Sequence, residues 1–585
     1  MRRHSILLAV TLPLLFCPPA FSQPPGGAAG GRPGAATGAA LPGMPPPSAA
    51  RQTGTARIRG RVVAADTGAP LRRAQVQAVA ADAQARRTTT TDADGRYEFT
   101  DLPAGRFVVS VSKTGYVTLQ YGQRRAFQAG TPITVAEGQQ LDRIDVSLPR
   151  GAVIAVRVTD DFGDPLAGVQ VQVQRYQYGP DGQRRLTPVS TGIFLGLTTT
   201  DDRGETRLFG LMPGEYVVSA IARSGIVPTL PNSTDTSEGF APTFYPGTVN
   251  SAEAQAVSVT AGNETAIQFS MVPARLARIS GTIVDSEGRP FAGAMVQLMS
   301  RQGSGITTFG AGSVSTDGTF TISGVPPGEH SIEVRPIPRP GATGAEFASV
   351  PIVVSGSDLT GIRVVTSRGA LVTGRVVFEG TSPRVLPGGT PLRVFAQPAD
   401  VSRPLLMLGG GDPLTNGTLD ESGVFQYAGA FGRLFFSVST PPPWTLKSVT
   451  LDGEDITDEP IDFTGKQSVS NLVITLTDRV TQIAGQVSDA QGRTLRDYVV
   501  VLLPAEAIQE PVALGRVIRT ARPDSNGRFQ ARVRPGRYVA AAVEDLEQGR
   551  QFAPEFQEQL RRGAREIAVR EGDTVTVDLK LTTGL

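Results

Sequence analysis

Cysteine, tryptophan and histidine are almost missing from this chain: 585 residues hold Cys17, Trp444, His4 and His330 and no others of these types. Each shortage removes a class of chemistry. A lone cysteine leaves no intrachain disulfide and no cysteine-rich metal site. A zinc peptidase needs two or three histidine or carboxylate ligands around an open position. Beyond the first few residues only His330 is present, so no paired-histidine site is expected. A Ser-His-Asp triad would have to use that same residue. Lysine is limited to Lys113, Lys447, Lys466 and Lys580, so arginine carries nearly all the positive charge. The formal net charge is only +2 and no long basic run occurs, which argues against nucleic acid as a partner. No phosphate loop of the Gly-x-x-x-x-Gly-Lys-Ser/Thr form is present. The expectation is therefore no catalytic residues, no metal and no cofactor.

Turn formers and exchangeable apolar residues are what the chain has in quantity: 67 glycines, 45 prolines and 40% hydrophobic residues. The length alone suggests about three to six domains. Residues 1–22 read as a secretory signal. Arg2, Arg3 and His4 are basic, Ile6 to Phe16 is apolar, and Ala20 and Ser22 are small residues placed for cleavage after Ser22. Residues 23–55 are Gly, Ala, Pro and Ser with little to bury, and read as a disordered Pro/Gly-rich linker. With the signal removed, no remaining apolar run is long enough for a membrane helix. The chain is expected to be exported: periplasmic, associated with the outer envelope, or secreted.

From residue 56 onward one unit recurs, consisting of a turn, a strand, a second turn and a second strand. It reads Thr91-Asp92-Ala93-Asp94-Gly95-Arg96-Tyr97-Glu98-Phe99, then Leu102-Pro103-Ala104-Gly105-Arg106-Phe107. It returns as Asp201 to Gly204 with Leu211 to Tyr216, and as Thr316 to Phe320 with Val325 to His330. Looser copies surround Gly423 and Gly432, and Gly527 and Gly536. An Asx residue shortly before Gly favours a tight turn, because Gly tolerates positive φ and the Asx side chain bonds nearby amides. Tyr97 and Phe99, two apart, face one side of a strand. His330 stands where Phe107, Tyr216 and Tyr538 stand in sister copies, and so reads as a core strand residue. Each repeat opens with a strand such as Ile58-Arg59-Gly60-Arg61-Val62 or Ile279-Ser280-Gly281-Thr282-Ile283 and closes with an alternating one such as Val575 to Leu579. Short alternating strands divided by turns indicate antiparallel sandwiches. Phe556, Leu560 and Ala564, after Pro554, predict one short C-terminal helix.

These motifs resemble the carboxypeptidase regulatory-like domain, a transthyretin-like (prealbumin-like) sandwich. The likeness rests on Gly-x-Val, Gly-x-Pro-Leu-x-Gly-Ala-x-Val, Thr-Asp-x-x-Gly-x-Tyr-x-Phe and Leu-Pro-Pro-Gly-x-Tyr. Phe244 to Thr248 and Trp444 to Val449 are similar to segments of large exported bacterial proteins built from such repeats. The resemblance implies an all-β chain of tandem prealbumin-like or Ig-like sandwiches: 56–150, 151–274, 275–368, 369–477 and 478–585. It transfers fold well and function poorly.

Three functional readings follow. The leading one is a non-catalytic structural or interaction protein at the cell envelope. A second is a carbohydrate-binding protein acting through loops of the sandwiches. A third is an accessory to an outer-membrane transporter or a peptidase. The partner is then a glycan or an envelope protein. From Gly60 to Gly95 is 35 residues, against 48 from Val156 to Gly204 and 49 from Gly374 to Gly423. Extra residues in a sandwich go into loops, which often carry function. The longer second copy holds Arg175, Tyr176, Tyr178, Arg184 and Arg185, residue types suited to stacking on a sugar or meeting an acidic partner. These five are the candidate ligand-binding residues, against the alternative of a solvated hairpin with incidental aromatics; Trp444, after three prolines, reads either as a sugar platform or as a core residue. Asp201 and Asp202, and Asp452, Glu454 and Asp455, read as solvated turn carboxylates. Asp92 and Asp94 make only a faint likeness to a calcium loop.

Overall fold

The computed structural model describes residues 54–582 apart from 81–85, 124–126, 190–196, 223–236, 301–306, 337–345, 384–391, 400–416, 439, 441–442, 464–467, 507–510 and 525. The signal segment and nearly all of the linker expected at 1–22 and 23–55 lie outside the described residues.

Five apolar cores follow one another along the chain, drawn from residues 56–148, 152–271, 277–364, 370–476 and 483–579. Each lies between β-layers. In the third sandwich one layer has Ala277–Val284 between Thr319–Val325 and Leu359–Val365. The other runs Thr307–Ser313, Ala294–Ser300, Gly328–Pro336, Ala348–Val354. Burial alternates as the pleat requires: in Arg96–Leu102, Tyr97 and Phe99 enter the core while Arg96 and Glu98 stay outside. The layers pair antiparallel, and the opening and closing strands of each sandwich pair in parallel, as Ala152–Thr159 does with Glu264–Ser270. In the fifth sandwich Leu579–Thr582 pairs with both Gln482–Ser488 and Gly536–Val543, joining the two layers.

The glycine of each opening strand has a steric cause. The parallel ladder breaks beside Gly281 and Gly374. A Cβ on Gly60, Gly281, Gly374 or Gly485 would fall 2.0, 1.9, 2.1 or 1.8 Å from the carbonyl oxygen of Ile144, Ile362, Leu472 or Val577. The closing strand bulges onto the opening strand there, leaving no room for a side chain. In the second sandwich Val156 holds this place, and its ladder runs unbroken from Val153 to Thr159.

The repeated Asp turn is a capping device. Asp92 Oδ1 accepts from the amides of Asp94 and Arg96, and Asp201, Asp420 and Asp524 repeat the pattern two and four residues on. The amide hydrogen bonds, that of Glu205 foremost, hold the Asp201 carboxyl below the usual carboxylate range; at Asp420 the Ser422 hydroxyl, and then the Val424 amide, does the same. His330 is buried, and its Nε2–H donates to the carbonyl oxygen of Pro326 at 2.9 Å. The hydroxyls of Tyr216 and Tyr538 reach the carbonyls of Met212 and Arg534, also four residues back. The histidine thus does the same local job as the tyrosines of its sister repeats.

The C-terminal helix spans Pro554–Gly563, with Pro554 in its first turn and Phe556 and Leu560 buried. A four-residue helix, Leu514–Val517, also occurs; its length is too short for a periodic signal in the sequence. No helix among the described residues is long and apolar enough to cross a membrane.

Candidate functional site

The extra residues of the second sandwich form a paired hairpin. Gln170–Tyr178 and Arg184–Pro188 run antiparallel, with Tyr178 opposite Arg184 and Tyr176 opposite Leu186. Gly182, at φ 73°, closes the Gly179–Gly182 turn. Asp181 Oδ1 accepts from the amide of Gln183 and from Arg185 at 2.9 Å. The expected loop is therefore an extension of the sheet, because alternating polar and β-forming residues on both sides of a Gly-Pro-Asp-Gly turn can go on pairing.

Most of the hairpin's candidate binding side chains are engaged in internal contacts. Tyr176 packs against the cluster of Leu186, Val217 and Phe244, and its hydroxyl donates to the carbonyl of Ser251 at 3.0 Å. The Arg184 guanidinium lies 4.3 Å from the centroid of the Tyr176 ring. Arg185 is held by Asp181. Tyr178 joins the apolar cluster of the fifth sandwich that contains Leu514, Phe552, Phe556 and Leu560. The Arg175 side chain is only 11% exposed, forms an ion pair with Glu547 and stacks with its guanidinium carbon 3.5 Å from the centroid of the Phe127 ring. Burial holds Arg175 below its ordinary value.

The five residues are therefore kept together but not presented as a free binding loop. Arg175 and Tyr178 stand where three sandwiches meet, while the contacts of Tyr176, Arg184 and Arg185 stay within the second. Phe127 belongs to the first sandwich; its carbonyl accepts from the amide of Gln548 at 3.1 Å, and its ring meets Tyr216 of the second edge-to-face. The amide of Gly515 donates to the carbonyl of Pro180 at the hairpin tip. Gly549 lies against Tyr178 so closely that a Cβ would fall 2.7 Å from its carbonyl oxygen.

Trp444 takes the core place rather than that of a sugar platform. It is 5% exposed and packs edge-to-face on Phe378 with centroids 5.0 Å apart; its indole N–H donates to the carbonyl of Pro383 at 3.1 Å. A buried indole offers no face to a sugar. The three preceding prolines suggested exposure, but the strand Thr445–Leu451 that follows carries the ring into the core of the fourth sandwich.

A second junction joins the fourth and fifth sandwiches. Arg534 Nη2 donates to both carboxylate oxygens of Asp458, at 2.8 and 2.6 Å. Arg516 bonds Gln397 and the carbonyl of Thr457 and lies 4.7 Å over the Phe435 ring. Lys447 pairs with Glu571 at 2.9 Å. Beside these contacts is a cleft of about 430 Å³ whose lining includes Lys447, Arg479, Arg516, Arg519, Arg532 and Arg534. Sequence reasoning missed Phe127, Glu547 and this cleft. The only available signal was the crowding of arginine from Arg516 to Arg537, where Asp524 is the sole acidic residue.

The fold and junctions define a chain of tandem all-β sandwiches that grip one another through side chains and backbone. Residues 57–149 and 278–360, in the first and third sandwiches, match the family of carboxypeptidase regulatory-like domains. No curated protein matches the chain. Among solved structures it is similar to the Bacillus anthracis TIE protein at 12% identity, covering 68% of this chain and 66% of that one, TM-score 0.15. It is also similar to the minor pilin of Streptococcus agalactiae, at 14% identity over 37% of this chain and 95% of that one, TM-score 0.20. Two B repeat units of the collagen binding protein of Staphylococcus aureus align at 12% identity over 72% of this chain and 99% of theirs, TM-score 0.12. None of these similarities reaches beyond the fold.

Proposed function

We propose that this chain is a non-catalytic structural protein of the cell envelope, a scaffold whose fifth sandwich is clamped against the first and second. The observation that carries this reading is the hairpin docking: Arg175, Tyr178 and Pro180 of one sandwich and Phe127 of another all engage the 514–552 region of a third. A flexible display protein would leave its arginines and tyrosines in water. Here Arg175 and Tyr178 are packed against other sandwiches instead. The buried, backbone-bonded state of His330 supports a non-catalytic role, since it keeps that imidazole from acid–base work. Export rests on the order of basic, apolar and small residues in 2–22.

The double variant Arg175→Ala/Tyr178→Ala tests the clamp. Truncating a partly buried aromatic and a desolvated ion pair is expected to cost about 2–4 kcal/mol of docking energy. Small-angle scattering should then show a larger radius of gyration with the β-type circular dichroism spectrum unchanged. An unaltered scattering profile would contradict the clamp. Fractionation of the producing cell should recover the protein in the envelope or the medium, and cytosolic recovery would contradict the location.

A further inference from the structure

The cleft between the fourth and fifth sandwiches holds more positive charge than its contacts use. Six cations line it: Lys447, Arg479, Arg516, Arg519, Arg532 and Arg534. Three carboxylates border them. Asp458 accepts from Arg534 Nη2 and lies 3.8 Å from Arg516 Nε, while Glu379 and Glu571 share Lys447. Among the described residues Arg519 is left with one hydrogen bond, from its Nη1 to the carbonyl of Ile518 at 3.1 Å. Arg516 Nε is buried without a hydrogen-bond partner.

Desolvating a guanidinium without a counter-charge is unfavourable, and like charges nearby add to the cost. Both effects act here. Burial, and then the neighbouring Arg534 guanidinium, hold Arg519 below its ordinary value; burial does the same to Arg516 against the pull of Asp458. An oxyanion in the cleft would relieve both. The planar fork of arginine suits tetrahedral oxyanions, which it binds through paired N–H donors. The cleft volume falls within the roughly 300–1,000 Å³ usual for small-ligand sites. Gln397, Ser437 and Thr445 add neutral polar groups to the lining, which suit the hydroxyls of an attached organic part.

We infer that this cleft binds a small phosphate or sulfate monoester, its oxyanion held by Arg519 and Arg532 with Arg516 and Arg534 beside them. The site goes beyond the scaffold role; of its lining only Gly515 also contacts the hairpin, through its backbone, and none of the four arginines does, so either can fail without the other.

The test uses the full chain and calorimetric titration at constant ionic strength, with inorganic phosphate, inorganic sulfate, glucose 6-phosphate and glucose as probes. Glucose 6-phosphate should bind saturably and more tightly than either inorganic ion, and glucose should not bind. Equal affinity for the inorganic ions and the ester would overturn the assignment to a monoester. Arg519→Gln should weaken ester binding at least tenfold. Arg532→Gln, at an exposed position that leaves the core untouched, should weaken it severalfold and keeps the test valid if the first variant misfolds. Absence of saturable binding by any of the oxyanions, or unchanged affinity in folded Arg532→Gln protein, would overturn the inference.

Discussion

Gly485→Val is expected to unfold the fifth sandwich while leaving the other four cores intact. Already as alanine, the new Cβ would fall 1.8 Å from the carbonyl oxygen of Val577. That carbonyl belongs to the backbone of the closing strand, which has little freedom to retreat. Gln482–Ser488 is paired with Arg528–Arg532 on one side and with Thr574–Thr576 and Leu579–Thr582 on the other. Overpacking a core costs about 1–3 kcal/mol when side chains can adjust. A clash with paired backbone exceeds that range, and about 4 kcal/mol or more is expected, a large share of the roughly 5–15 kcal/mol that holds a domain folded. Chemical denaturation followed by circular dichroism should show an early transition with about one-fifth of the β signal. A single transition at the wild-type midpoint would show that the closing strand can move. The second sandwich supplies the contrast, since Val156 is native where the ladder runs without a bulge.

Trp444→Ala is expected to destabilise the fourth sandwich by about 3–5 kcal/mol, the usual cost of emptying a large aromatic site. The loss has three parts: the packing against Phe378, the hydrogen bond to Pro383, and burial of a side chain that is 95% covered in a core of Val372, Leu472 and Leu476. Urea unfolding monitored by amide exchange of Val469–Thr477 measures it. Wild-type stability together with loss of glycan binding would return Trp444 to the role of a sugar platform.

The contrast between these two positions shows what the sequence could reveal. Backbone chemistry was legible: Asp92, Asp201, Asp420 and Asp524 mark turns because only a short acceptor side chain can cap them, and Gly60, Gly281 and Gly485 recur where the closing strand crosses. Period-two burial of Tyr97 and Phe99 follows from the pleat alone. His330 was readable by its register against Tyr216 and Tyr538. The candidate site was legible only in part. Arg175 and Tyr178 stand out as unusual residues, but what they touch is set by Glu547, Phe552 and Phe127, far away in the chain and without a periodic signature. The same amphipathic residues serve an exposed binding loop and a buried junction, so composition cannot separate the two. Trp444 was ambiguous for the same reason.

Amide hydrogen exchange at Gln548 and Gly515 tests the clamp most directly. Each amide has its acceptor across a junction, Gln548 on the carbonyl of Phe127 and Gly515 on the carbonyl of Pro180. In the intact chain both should exchange at least tenfold more slowly than exposed loop amides, and both should lose that protection together in Arg175→Ala/Tyr178→Ala. Exchange of both amides in the intact chain at the rate of exposed loops would contradict a docked fifth sandwich, and with it the scaffold.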